Sequence, residues 1–162
     1  CQPDLVGSIT SMTAVESGSC TAVFSSHNLE HLQPHEVQVA LAEFVRVLTP
    51  DGFALVTVPD VQQVAALITE DRLEDAAYVS PAGPIAPLDM LYGHRPSLAR
   101  GNLFMAHRTG FTATTLSRAL LQAGFVQVGV KRDGRYGLWA IAYRQLQDDE
   151  RLAVMEKAVF AS

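Results

Sequence analysis

The chain alternates between short continuous apolar runs and stretches in which apolar residues recur at helical spacing. Residues 22–25 and 53–58 form two such runs, which are typical of parallel strands buried on both faces. The stretch between them has the apolar face of a helix, formed by Val37, Leu41, Phe44 and Leu48. Pro34 suits the first turn of this helix, and residues 49–52 (Thr-Pro-Asp-Gly) predict a type I turn that ends it. Strand, helix and strand in this order favour an α/β fold with a parallel sheet.

The second half of the chain predicts three further helices and a hairpin. Residues 61–68 and 116–123 space their apolar side chains as helices do. Residues 125–130 and 138–143 have the length and composition of strands, and the short connection between them contains Asp-Gly, which predicts an antiparallel hairpin. Residues 147–160 return to helical spacing, with acidic residues in the first turn.

Residues 80–110 interrupt this alternation. Proline and glycine recur along the stretch and little periodicity is visible. Connections of this length are uncommon unless they are functional or disordered. Because the stretch also contains many apolar and aromatic residues, we expect an ordered, packed insertion that acts as a lid.

Composition and charge narrow the class of protein. A length of 162 residues fits one domain with a hydrophobic core. The net charge of −5 is spread along the chain without a cluster of Lys or Arg, which argues against a nucleic-acid or membrane partner. Cys1 and Cys20 are the only cysteines, so a cytoplasmic protein without a disulfide framework is expected. The first residue is not Met, which indicates a processed or trimmed start, or a piece of a longer protein.

Three segments resemble parts of the class I S-adenosylmethionine (SAM) dependent methyltransferases, of the methyltransferase type 11 kind. Residues 22–31 (AVFSSHNLEH) resemble the fourth strand and the turn after it, residues 40–59 resemble the next helix, turn and fifth strand, and residues 120–125 (LLQAGF) resemble the entry to the sixth strand. The resemblance implies a single domain over residues 1–162, with a mostly parallel Rossmann-like sheet, helices on both faces and a C-terminal antiparallel hairpin. It implies methyl transfer from SAM to a small-molecule or sugar-type acceptor.

The resemblance begins at the third strand of the family, so we expect an incomplete sheet and a truncated domain. The family binds SAM through a glycine-rich loop after its first strand and an acidic residue after its second, and neither has a counterpart in this sequence. Ser8 stands where the family usually has Asp, and Thr21 stands where Asp often opens the fourth strand. The positions that the resemblance still assigns to SAM are Ser8, Ile9, Ser25, Ser26, His27 and Asn28.

In the family, strands one and two lie between strands three and four. Without them, residues 22–25 form an apolar edge strand, and such edges pair readily with other strands. We expect a substitute partner: either residues 4–9 fold against this edge, or the same edge of a second copy pairs with it in a homodimer. The alternative function is therefore a non-catalytic interaction or dimerisation module derived from a methyltransferase.

Ionisable side chains follow the strand over residues 22–25. Methyl transfer to oxygen or nitrogen requires alignment of the acceptor and removal of a proton. The candidate bases are His27, Glu30 and His31, since a histidine titrates near neutral pH. The alternative is that these residues start or cap the next helix and bind backbone groups.

Three histidines recur every fourth residue, at His27, His31 and His35, with Glu30 among them. On one continuous helix this spacing would place the imidazoles on one face, as in metal sites. Pro34 argues against a continuous helix, so we expect no functional metal. The alternative is an adventitious zinc site formed by two histidines four residues apart and the nearby carboxylate.

The insertion contains two His-Arg pairs beside aromatic residues, at His94 and Arg95 and at His107 and Arg108. The guanidinium groups of a lid suit a carboxylate or phosphate of the substrate. The alternative is a surface loop held by ordinary hydrogen bonds.

Overall fold

The apolar runs and helical spacings become a four-stranded sheet with helices around it in the computed structural model, which describes residues 4–160. The strands are β1 (Cys20–Ser26), β2 (Leu48–Pro59), β3 (Tyr78–Ser80), β4 (Gly83–Ile85), β5 (Gln127–Arg132) and β6 (Gly137–Tyr143). The helices are α1 (Pro34–Val47), α2 (Val61–Thr69), α3 (Pro87–Tyr92), α4 (Arg95–Ala99), α5 (Ala113–Ala123) and α6 (Asp149–Phe160), with 3-10 turns at Leu29–His31 and Leu103–Met105. Within the described range, no helix combines the length and the apolar character needed to cross a membrane.

The main sheet has the strand order β1–β2–β6–β5, and β3 and β4 form a separate hairpin. β1 and β2 are parallel, whereas β6 is antiparallel to both β2 and β5. β5 therefore runs in the same direction as β1 and β2, which confirms the expected mostly parallel sheet with a C-terminal antiparallel hairpin. Because these three strands end at one edge of the sheet, the residues that follow them lie along the same edge.

Helices α1 and α5 pack together against the sheet and form the main core. Phe44 and Leu41 on α1 and Leu116 and Leu120 on α5 are almost completely buried. Apolar residues from β2 and β6 complete this cluster. The face of α1 that the sequence pattern predicted is thus the face that contacts the sheet.

The turn expected at residues 49–52 is replaced by a bulge within β2, which begins directly after α1. Cys20 pairs with Leu48, and Ala22 pairs with Phe53, so β2 contains extra residues over this stretch. A bulge of this kind bends the strand without ending its pairing. The proline and glycine of this segment therefore mark an irregular strand rather than a connection.

Residues 4–9 do not pair with β1. The segment contains no strand, and Ser8 forms only an isolated bridge to Ser11. Among the described residues no strand lies beside the outer edge of β1, where Phe24 is 65% exposed. The prediction that residues 4–9 cover this edge is wrong, while pairing with a second copy stays a prediction.

The segment that follows residues 4–9 is held by α1 instead. The backbone N–H of Met12 donates to the Glu43 carboxylate at 2.6 Å, and the Arg46 guanidinium donates to the carbonyl oxygens of Met12 and Val15 at 2.7 and 2.9 Å. Hydrogen bonds that involve a charged group are roughly twice as strong as neutral ones. These contacts direct the chain along α1 and away from the free edge of β1.

A buried carboxylate organises the insertion. Asp89 is 5% exposed, and it accepts hydrogen bonds from the backbone N–H groups of Ala86 and Arg95, both at 3.0 Å. The Arg95 guanidinium also donates to Asp89, with an Nε–Oδ1 distance of 2.9 Å. This one side chain caps the start of α3 and joins it to the start of α4.

The backbone of the insertion folds back closely on itself at Gly93. A Cβ atom at this position would lie 1.9 Å from the carbonyl oxygen of Met105, and Gly93 has a φ of +98°. Only glycine fits this approach. The insertion is thus built from short packed elements, and its role as a lid stays a prediction.

We expect Gly93→Ala to lower the free energy of unfolding by about 3 kcal/mol, because the new methyl group overlaps a backbone atom that cannot move alone. The matched control is Gly101→Ala, since Gly101 also has a positive φ, of +87°, but has open space around it. Backbone strain alone predicts a loss of about 1 kcal/mol there. Urea unfolding of both variants checks the difference, and equal losses would contradict the close approach.

Asp89 predicts a pH-dependent contribution to stability. Burial opposes ionisation of this carboxyl, but the hydrogen bonds from Arg95 and from the backbone of Ala86 outweigh it and lower the pKa of Asp89. A lowered folded-state pKa stabilises the fold above the unfolded value of about 3.9, and this contribution is lost as the pH falls through the folded pKa.

We therefore expect Asp89→Asn to reduce the free energy of unfolding by about 2 kcal/mol at neutral pH, with the difference from the parent chain shrinking as the pH falls below about 4. Glu74→Gln is the control, because Glu74 contacts the same Arg95 from a side chain that is 74% exposed, and its loss should stay below about 0.5 kcal/mol. Denaturant unfolding at several pH values measures both. A constant gap at all pH values would contradict the assignment.

Candidate functional site

Polar side chains lie where the parallel strands β1 and β2 end. The backbone N–H of His27 donates to the carbonyl oxygen of Thr57 at 2.9 Å, and the Thr57 hydroxyl donates to Ser26 Oγ at 3.0 Å. His27 has a φ of +49°, an uncommon conformation for a residue with a side chain. Open α/β sheets bind ligands at this edge. The strained turn therefore places His27 where a ligand is expected.

His27 and Glu30 form a hydrogen-bonded pair. His27 Nδ1 lies 3.0 Å from Glu30 Oε1, and the two side chains are 60% and 1% exposed. The hydrogen bond and charge of Glu30 raise the pKa of His27, although burial acts in the opposite direction. Because Nδ1 is engaged with the carboxylate, Nε2 is the nitrogen that remains for a solute.

Glu30 belongs to the 3-10 turn after β1 and contacts the end of the insertion. Its carbonyl oxygen accepts hydrogen bonds from the backbone N–H groups of Arg108 and Thr109 at 2.7 and 3.2 Å. Its side-chain atom Oε2 is buried and has no hydrogen-bond partner among the described residues. An unsatisfied buried oxygen of a carboxylate is costly, so this atom requires an explanation.

His31 and His107 meet beside Glu30. Their ring centroids are 5.0 Å apart at an angle of 69°. His31 Nδ1 lies 3.1 Å from the carbonyl oxygen of Ala106, and His107 Nδ1 lies 2.8 Å from that of Met90. Burial lowers the pKa of His107, which favours the neutral ring. One potential ligand atom from each of Glu30, His31 and His107 lies within 4.8 Å of the others, and we call these three residues the carboxylate–histidine cluster.

The other residues that the sequence assigned to substrate have different surroundings. The Arg95 guanidinium forms ion pairs with Asp89 and Glu74, and His94 Nδ1 lies 2.8 Å from Ser97 Oγ. Contacts of this kind are expected if the insertion is a surface loop held by ordinary hydrogen bonds, which was the alternative to substrate binding. Arg108 is exposed and adjoins the site through its backbone.

The residues assigned to SAM divide into two places. Ser25, Ser26, His27 and Asn28 follow one another at the end of β1, and the Ser25 hydroxyl is buried without a hydrogen-bond partner among the described residues. The Ser8 hydroxyl instead hydrogen-bonds to Thr10 in an exposed turn, and Ile9 packs against the main core. Of the six residues assigned to SAM, the structure therefore brings together the four at the end of β1, which are Ser25, Ser26, His27 and Asn28.

Asp133 is a further charged group at this edge that the sequence analysis used only as a turn signal. Although burial opposes it, hydrogen bonds from the backbone of Gly137 and Arg135 and from the Trp139 indole lower the pKa of Asp133. Its negative charge also contributes to the raised pKa of His27. In the sequence, the Asp-Gly dipeptide indicated only a turn. It did not indicate that the charge of Asp133 acts on His27.

A cleft of about 650 Å³ opens beside Asp133 in the turn between β5 and β6. Lys131, Arg135 and Trp139 contribute to its walls. Since β5 ends at the same sheet edge as β1, this cleft and His27 lie on one side of the molecule. The volume suits a small molecule.

Comparisons with known proteins agree with the resemblance seen in the sequence. Residues 2–56 match a family model described as a methyltransferase domain. This stretch includes β1, α1 and most of β2, and with them His27, Glu30 and His31. Among curated protein sequences, none matches the chain.

Solved methyltransferase structures share the fold. A SAM-dependent methyltransferase from Thermotoga maritima superposes with a TM-score of 0.56 at 12% identity, over 87% of this chain and 63% of that one. One from Methanosarcina mazei gives 0.56 at 18% identity, over 88% and 67%. Human N-acetylserotonin methyltransferase, solved in complex with SAM, gives 0.53 at 16% identity, over 86% and 33%.

The chain thus spans 63% of the length of the Thermotoga protein and a third of that of the human enzyme. At these identities the structural likeness establishes a common fold. The family-model match over residues 2–56 adds a similarity in sequence that includes Ser25, Ser26, His27 and Asn28. Residues 2–56 are thus similar to a methyltransferase domain, and the chain as a whole shares the fold of solved SAM-dependent methyltransferases.

Proposed function

We propose that this chain provides the acceptor side of a SAM-dependent methyltransferase that acts on a small-molecule or sugar-type acceptor. The observation that carries the proposal is the His27–Glu30 pair at the end of β1, in which a buried carboxylate holds Nδ1 of a histidine whose side chain is 60% exposed. The methyltransferase family match includes this pair.

The strand-end residues fit the methyl-donor end of SAM. Ser25 has a buried hydroxyl without a hydrogen-bond partner among the residues described, and Asn28 is exposed beside His27 without capping the turn that it begins. Polar groups in these positions suit the amino and carboxylate groups of a methionine moiety. The donor end is therefore the part of SAM that these residues would hold.

When bound, SAM supplies a methyl carbon that accepts the electron pair of the acceptor oxygen or nitrogen while the electrons of the carbon–sulfur bond return to sulfur. We assign to His27 Nε2 the acceptance of the proton that the acceptor loses. Glu30 Oε1 holds the ring through Nδ1 and stabilises the positive charge that the ring gains. His31 is hydrogen-bonded to the Ala106 carbonyl and positions the turn.

The proposal predicts that the 162-residue chain binds SAM at concentrations up to millimolar in a calorimetric titration and forms S-adenosylhomocysteine with a panel of small phenols, amines and sugars. His27→Ala should reduce the rate about 10²- to 10⁴-fold, since it removes a general base. His35→Ala is the control, because His35 is exposed on α1 and should retain the rate. The absence of binding at millimolar SAM, or equal rates for the two variants, would contradict the proposal.

A second candidate function is a non-catalytic module that pairs through the free edge of β1. The observation in its favour is the exposed edge, on which Phe24 is 65% exposed. Apolar edge strands of this kind are templates for pairing with another chain. The partner proposed is a second copy of this chain, joined edge to edge.

Under this alternative, the chain sediments as a dimer in analytical ultracentrifugation, binds no SAM, and becomes monomeric on Phe24→Lys, because charge on an edge strand opposes pairing. Val39→Lys is the matched control, as Val39 is an apolar residue of α1 that is 49% exposed. A monomeric parent chain, or a dimer that survives Phe24→Lys, would contradict this candidate.

A further inference from the structure

We propose that the carboxylate–histidine cluster binds one divalent transition-metal ion, for which Zn²⁺ is the best-suited probe. The ligands are the Glu30 carboxylate and the imidazoles of His31 and His107. This inference does not depend on SAM or on methyl transfer. It also differs from the histidine spacing in the sequence, because His107 comes from the insertion and His35 takes no part.

The first argument is the convergence of the three side chains. Their potential ligand atoms lie within 4.8 Å of one another. Zinc takes nitrogen and oxygen ligands at about 2.0–2.2 Å, so two ligands of one ion lie about 3–4 Å apart. Small side-chain rotations therefore bring the cluster to coordination distance. Two histidines and one carboxylate form a common set of zinc ligands.

The second argument is the state of the two imidazoles. Each Nδ1 lies at hydrogen-bond distance from a backbone carbonyl oxygen, that of Ala106 for His31 and that of Met90 for His107. A carbonyl only accepts hydrogen bonds, so each Nδ1 carries the proton and each Nε2 has a free electron pair. Metal-binding histidines are oriented in this way by a carbonyl or carboxylate on the other ring nitrogen.

The third argument is the buried carboxylate. Glu30 is 1% exposed, and its Oε2 has no hydrogen-bond partner among the described residues, while Oε1 is bound to His27. A buried carboxylate oxygen without a partner is unfavourable unless a cation compensates it. A metal ion at the cluster satisfies Oε2, and His27 remains on the other oxygen as an outer-shell partner.

The ion joins parts of the chain that are distant in sequence. Glu30 and His31 lie in the turn after β1, and His107 lies at the end of the insertion. Three protein ligands leave a fourth position of a tetrahedral ion open, as in catalytic zinc sites. The open position would lie at the ligand-binding edge of the sheet, next to His27.

The test uses the full 162-residue chain after removal of metal with a chelator, and it contains no SAM. We expect Zn²⁺ to bind with a stoichiometry of one ion per chain in a calorimetric titration and to raise the melting temperature. Co²⁺ as a substitute should give the intense visible absorption of a four-coordinate site. Glu30→Gln and His107→Gln should each weaken Zn²⁺ binding by about 100-fold or more, as removal of a ligand costs at least as much as removal of an outer-shell partner.

His35→Ala is the matched control and should retain full affinity, since His35 is exposed on α1 and is not part of the cluster. Circular dichroism verifies that each variant is folded, and His31→Gln replaces any variant that is not. Failure of the parent chain to bind Zn²⁺ would overturn the proposal. So would binding that survives His107→Gln but is lost in His35→Ala, because that result assigns the ion to the local histidine spacing of the sequence.

Discussion

The site depends on the groups that offset the cost of burying one carboxylate, that of Glu30. Glu30 is 1% exposed, and a charge in such a position persists only when neighbouring groups satisfy it. Oε1 binds His27, the carbonyl oxygen accepts hydrogen bonds from the backbone of residues 108–109, and Oε2 is buried without a hydrogen-bond partner among the described residues. The carboxylate also lies beside His31 and His107. The strand end, the short turn and the insertion therefore meet at a single residue.

The parts of the fold that were predictable are those fixed by local pattern. The spacing of Phe44 with its neighbours gave α1, and the Asp-Gly connection gave the terminal hairpin, because helical and hairpin periods are short-range properties. The course of residues 4–9 was not predictable. Glu43 and Arg46 hold the segment that follows it, and hydrogen bonds between residues more than 30 positions apart leave no local signal. The bulge over residues 49–52 likewise depends on its pairing with β1.

In the site, too, local groupings could be predicted from the sequence, whereas contacts between distant residues could not. His27 and Glu30 are three residues apart, so the sequence alone could bring them together, and their grouping with Ser25 and Ser26 follows from the end of one strand. The contact between His31 and His107 required the three-dimensional path of the insertion. For Arg95, the chemistry of the side chain suited substrate binding. In the structure its guanidinium forms ion pairs with Asp89 and Glu74.

The anchoring of residues 106–111 determines the direction from which a ligand approaches. Ala106, Arg108 and Thr109 are hydrogen-bonded to the turn after β1, and Phe111 forms a bridge to the end of β2 at Asp60. Each such bond adds about 1 kcal/mol, so this stem of the insertion is held against the turn after β1 and the end of β2. The cleft beside Asp133 lies at the β5–β6 turn, on the same edge of the sheet as His27. The lining of this cleft includes the cationic side chains of Lys131, Arg132 and Arg135 beside the single carboxylate of Asp133. Such a lining attracts anionic groups more strongly than cationic ones.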